Sequence, residues 1–123
     1  MSVETLEKLI SKFDLDEDKF NRIKEKVEKI TKVLEDNGVV FQEHFQVGYY
    51  SHMISLVKRL EENEEMIPFG EEVLNEIGLE SMDLSHRVLK PLFVEYNREL
   101  DRSEAILVAI HIQTAKNTME GGE

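Results

Sequence analysis

Apolar residues recur along this chain in steps of three and four, the repeat of a helix face, with no stretch of the period-two alternation that marks a strand. Val3, Leu6, Ile10 and Phe13 fall on one face of a short first helix. The segment Asp14-Leu15-Asp16-Glu17-Asp18 follows, and its carboxylates suit the cap and first turn of a second helix. That helix carries Phe20, Ile23, Val27, Ile30 and Leu34, with Lys24, Glu25, Lys26, Glu28 and Lys29 over its other sides. Asn37-Gly38 supplies its stop, because glycine accepts the left-handed conformation required there. A third helix is predicted from near Phe41 to about Leu60, along the stripe Phe41, Phe45, Tyr49, His52, Leu56 and Leu60. The acidic stretch Glu61-Glu62-Asn63-Glu64-Glu65 and Pro68 interrupt it, and a shorter helix is expected from Phe69 to Ile77, closed by Gly78. Leu84, Val88, Leu92 and Tyr96 form the next stripe. Pro91 inside it predicts a kink or a later helix start, since proline lacks an N–H and clashes with the preceding turn. Ser103 is the expected N-cap of the last helix, whose inner side is read as Ile106, Leu107, Ile110, His111 and Thr114.

These elements predict an all-α fold, a single antiparallel bundle of about five to six helices joined by short loops. The expected organisation is an N-terminal helix over residues 1–15, a helical domain over 16–117 and a frayed tail over 118–123. At 123 residues, with 41% hydrophobic and 33% charged, the chain has the make-up of one globular domain. No apolar run approaches a membrane span, and Met1-Ser2-Val3-Glu4-Thr5 lacks the basic start and apolar block of a signal peptide. A cytoplasmic location is therefore expected. The absence of cysteine removes disulfides, thiolate metal sites and thiol catalysis. The formal net charge is −11, and Glu61 to Glu80 holds eight glutamates without one Lys or Arg. Such a charge repels phosphate backbones, so no direct nucleic-acid partner is expected.

Two of the four histidines interrupt apolar faces. His44 beside Glu43 and His86 beside Ser85 read as surface residues. His52 occupies the third helix's stripe between Tyr49 and Leu56, with Arg59 seven residues further along the same face. His111 stands between Ile110 and Ile112 at the end of the apolar run that begins at Glu104-Ala105. A titratable ring in such surroundings is either a core histidine satisfied by a nearby acceptor or a working group.

The run Tyr50-Ser51-His52-Met53-Ile54-Ser55-Leu56-Val57-Lys58-Arg59 resembles the first signature helix of PTS regulation domains, in which a histidine precedes an arginine by two helical turns. Glu104 to His111, followed by Ile112-Gln113-Thr114-Ala115, resembles the closing helix, where an acidic residue leads an apolar run to a second histidine and a downstream alanine. The resemblance covers about Asp16 to Asn117. It implies a helical, usually dimeric domain of a bacterial regulator of sugar use. Its histidines are phosphorylated by the histidine phosphocarrier protein or a sugar-specific PTS subunit, which shifts the dimer between active and inactive forms. Carried over, His52 and His111 are the phosphorylation sites and Arg59 the candidate phosphate-binding residue. The target would be a separate regulatory protein, as yet unknown.

Two other readings stay open. One is a helical dimer or adaptor that keeps both histidines as packing residues and is never phosphorylated. The other is an enzyme, for which the sequence offers little. No cofactor or metal is expected, since Asp83-x-x-His86 is a single copy of the spacing a bundle would use to hold a metal. Neither a Ser-His-Asp set nor a glycine-rich phosphate loop appears.

Overall fold

A computed structural model of the chain describes residues 3–66 and 76–121. Within them lie five helices: α1 (Val3–Ser11), α2 (Glu17–Asp36), α3 (Glu43–Glu61), α4 (Leu79–Glu95) and α5 (Arg102–Gly121). No strand occurs among the described residues, and the fold is an all-α bundle. The short helix expected over Phe69–Ile77 falls mainly on residues 67–75, which lie outside the described ones.

Helix ends follow local chemistry. Asp16 caps α2, its carboxylate accepting from the backbone N–H of Lys19 at 2.8 Å. Three helices then terminate on a residue in the left-handed region: Gly38 after α2, Asn63 after α3 and Asn97 after α4. In each, the next residue's N–H reaches back to the helix: Val39 to Leu34, Glu64 to Arg59 and Arg98 to Phe93. These bonds satisfy carbonyls the last turn would otherwise leave unpaired.

One terminal expectation is corrected. Asp101, not Ser103, caps α5, accepting from the Glu104 N–H at 3.1 Å. Gly78 precedes α4 as its N-cap residue, with an ordinary negative φ; the helix it was expected to close lies mainly outside the described residues. The helix α4 also runs unbroken through Pro91 and begins ahead of its stripe, at Leu79. Pro91 and Arg87 are both exposed, so the Arg87 carbonyl that loses its helical partner can turn to water.

One core gathers all five helices. α2 packs against α1, α3 and α4, while α5 packs against α4 and α3. Leu6 and Ile10 of α1 join Ile23, Val27 and Leu34 of α2, the α3 residues Met53, Leu56 and Val57, Leu89 and Phe93 of α4, and Val108 and Ile112 of α5. Removing this apolar surface from water is the main stabilising term. Polar contacts set the register between helices. The Thr31 and Tyr49 hydroxyls bond at 2.9 Å across α2 and α3, and Ser85 donates to the Ala105 carbonyl at 2.6 Å across α4 and α5. Glu61 at the end of α3 accepts from Arg22 of α2 at 2.7 Å and from the Tyr96 hydroxyl. Burial opposes charge on Glu61, but the bonds from Tyr96 and Arg22 outweigh it and lower its pKa.

The α5 face differs from the expected one. Ile106 is buried as expected, and so are Glu104, Ala105, Val108, Ala109, Ile112 and Ala115, whereas Leu107, Ile110, His111 and Thr114 are only partly so. The run is apolar on nearly every side, so periodicity could not select its deepest line.

Candidate functional site

The site is built where α3 crosses α5. Each helix presents two residues separated by two turns, His52 and Arg59 on α3 and Glu104 and His111 on α5. Residues seven apart lie nearly in line along a helix, so each pair shares a face. The Ser85–Ala105 bond and the Asp101 cap fix the first turn of α5, and with it the position of Glu104.

His52 lies at the centre of the cluster. Its Nε2 is 2.7 Å from the Glu104 Oε2 atom. The same carboxylate places Oε1 3.7 Å from the Arg59 guanidinium. Glu104 is almost wholly inside, with 1% of its side chain exposed, against 15% for His52 and 29% for Arg59. A carboxylate this deep requires compensating donors or charge, and His52 and Arg59 supply them. The other ring nitrogen of His52, Nδ1, is buried without a hydrogen-bond partner.

His111 approaches from α5. Its ring lies over that of His52 with centroids 5.3 Å apart and planes 26° from parallel. The Tyr49 ring meets it edge-on at 6.1 Å and is itself stacked on Phe41 at 4.2 Å. Burial, with His52 as a second cause, lowers the His111 pKa to about 4. The ring is therefore neutral at ordinary pH, the form in which an imidazole nitrogen keeps a lone pair for attack on phosphorus.

The structure thus brings His52, His111 and Arg59 into one cluster. His86 stands apart on an exposed position of α4. Asp83 pairs with Arg87 at 3.0 Å. Among the described residues, no three His, Asp or Glu side chains are grouped to hold a metal, and no helix is long and apolar enough to cross a membrane.

Glu104 is the member that sequence reasoning left outside the site. A signal existed, because it heads an otherwise apolar run and stands two turns before His111. An acid at a helix start is also what the helix dipole alone favours, so residue type and place do not single it out.

The aromatic residues in and just before α3 are mostly internal, which leaves them little part in a contact with a second chain. Phe41, Tyr49 and Tyr50 are buried within the single chain, and Phe45 is partly so.

No family model, curated protein or solved structure matches the chain.

Proposed function

We propose that this chain is a cytoplasmic regulatory phospho-acceptor of the PTS regulation domain kind, rather than an enzyme. It takes a phosphoryl group on His52, His111 or both and transmits that event to a partner protein through a change in dimer packing. The donor in this reading is a histidine phosphocarrier protein or a sugar-specific PTS subunit. One observation carries the reading: two histidines distant in sequence stack at 5.3 Å, with an arginine in the same cluster.

The chemistry fits such a role. A phosphoryl group adds about −1.5 to −2 charges, taking phosphohistidine to behave like other phospho-residues. In a chain already at −11 that charge needs an answering cation. Arg59 is near and only loosely held by Glu104, so it can turn to a phosphate with a charge-assisted bond. The buried Glu104 carboxylate would then face a second anion. That conflict is a physical means of repacking α3 against α5.

The test is to incubate the purified protein with charged phosphocarrier from its host and measure acid-labile label per chain. His52→Ala and His111→Ala should each remove part of the label, and the double substitution all of it. Arg59→Ala should reduce retained phosphate and also lower stability, since it withdraws a cation from the buried Glu104 carboxylate, so label is compared per folded chain. An unlabelled wild type, or a double variant that labels equally well, sinks the reading.

A second reading has its own support. His52 has one nitrogen bonded to Glu104 and the other buried, as in a histidine that serves packing alone. The chain would then be a helical adaptor. The same assay separates the two, because an adaptor stays unlabelled while folded.

A further inference from the structure

We propose that Glu104 is a positioning residue that fixes the tautomer of His52 and thereby makes Nδ1 the nitrogen that takes the phosphoryl group. The proposal rests on the phospho-acceptor reading above and adds to it the atom and the residue that selects it.

The argument starts from the 2.7 Å contact between Nε2 of His52 and Oε2 of Glu104. An ionised carboxylate accepts hydrogen bonds and cannot donate them, so the proton in this contact belongs to Nε2. The Arg59 guanidinium, 3.7 Å from the other oxygen, sets a positive charge opposite the carboxylate. A neutral imidazole has one N–H. With that N–H at Nε2, the lone pair lies on Nδ1, the nitrogen without a partner. Glu104 therefore does for this ring what the buried carboxylate of a hydrolase triad does for its histidine, with the two nitrogens exchanged.

The transfer balances with these groups. The Nδ1 lone pair of His52 forms a bond to phosphorus as the bond to the donor's imidazole nitrogen breaks. The departing pair stays on that donor ring. The His52 ring becomes cationic as Nδ1 is substituted, and its Nε2–H faces Glu104, which stabilises the charge or receives the proton. Glu104 touches neither phosphorus nor donor, so its action passes entirely through His52.

The buried state of Nδ1 adds a requirement. The donor reaches this atom only when the groups that bury it part, but the ring need not turn over, because Glu104 holds it from the other edge. A ring that reacted through Nε2 would first have to leave the carboxylate.

Two measurements test this. The first uses nitrogen-15 NMR of the histidine rings and needs no phosphorylation. In the wild type, His52 should show a protonated Nε2 and a bare Nδ1. In Glu104→Gln, which keeps the shape and removes the charge, the spectrum should shift towards a mixture of tautomers. A wild-type His52 protonated at Nδ1, or a tautomer unchanged in a folded Glu104→Gln, overturns the proposal. The second identifies the phosphohistidine isomer formed by the charged phosphocarrier. Phosphate on Nδ1 of His52 is the expected result. Phosphate on Nε2 overturns the proposal and leaves the phospho-acceptor reading standing. Label on neither histidine of a folded chain overturns both, whereas in Glu104→Asp the Nδ1 isomer should return if the carboxylate is what matters.

Discussion

His111 shows how much one ring can reveal. Its folded pKa near 4 lies below the ordinary 6.5, so between those values the unfolded chain binds more protons than the folded one. Stability must then rise with pH across that window and be lost as pH falls from 6.5 towards 4. The loss amounts to at most about 3 kcal/mol, reduced by whatever solvent reaches the ring. Carboxylates with lowered pKa values, such as Glu61 and Glu95, stabilise the fold above 4.5 and lose that contribution mainly below it, so the comparison is made above 4.5. Urea unfolding at pH 7 and pH 5 is the measurement, and His111→Gln should flatten the difference. An equal difference in both proteins would show that some other group is responsible. At this scale the sequence was informative about the two rings and Arg59, since each breaks an apolar pattern or stands at helical spacing from one that does. It was silent on Ser85, whose buried hydroxyl holds the Ala105 carbonyl, because a serine on a helix usually points to water.

Helix ends give the next prediction. Gly38 has φ of +81° with open space where a side chain would sit, so any penalty on substitution is conformational and not steric. Gly38→Ala should destabilise by about 1–2 kcal/mol. Gly38→Asn should cost clearly less, because asparagine tolerates this conformation, as Asn63 and Asn97 already show. Thermal melts of the two variants decide it. Equal losses would mean that something other than backbone handedness is at stake. The stop at Asn37-Gly38 was legible for the same reason: local chemistry alone determines it. The course of α4 was not. Proline's cost depends on whether the carbonyl it abandons faces solvent, and the packing of α4 on α2 and α5 decides that. The α5 cap was read as Ser103, and only the geometry of the turn places Asp101 there instead.

For the whole molecule, charge constrains the form that association can take. Two chains at −11 repel each other, so a homodimer must overcome that repulsion through its contact surface. Added salt shortens the reach of the repulsion to about 3 Å at 1 M from about 10 Å at 0.1 M. A dimer of this chain should therefore tighten as salt rises, the reverse of a complex held by opposite charges. Sedimentation at low and high salt measures it. A dimer that dissociates on adding salt would point to an interface built on ion pairs, and a monomer throughout would remove dimer packing from the proposed mechanism. The all-α class was legible at this scale because the three-and-four spacing persists through nearly the whole chain. The crossing of α3 and α5, which makes the site, was legible only in part. Two buried stripes had to share one core, but which residues would touch across it depends on packing.

The contact between Tyr49 and His111 has an optical consequence. The chain contains no tryptophan, so its near-ultraviolet emission comes from three tyrosines, unmasked by a stronger fluorophore. Tyr49 has its ring against His111, one ring removed from His52. A proton or phosphoryl group arriving on that pair alters the field at the phenol and hence its emission. The molecule therefore carries a native reporter within its own candidate site, and events there can be followed in solution without attaching a dye.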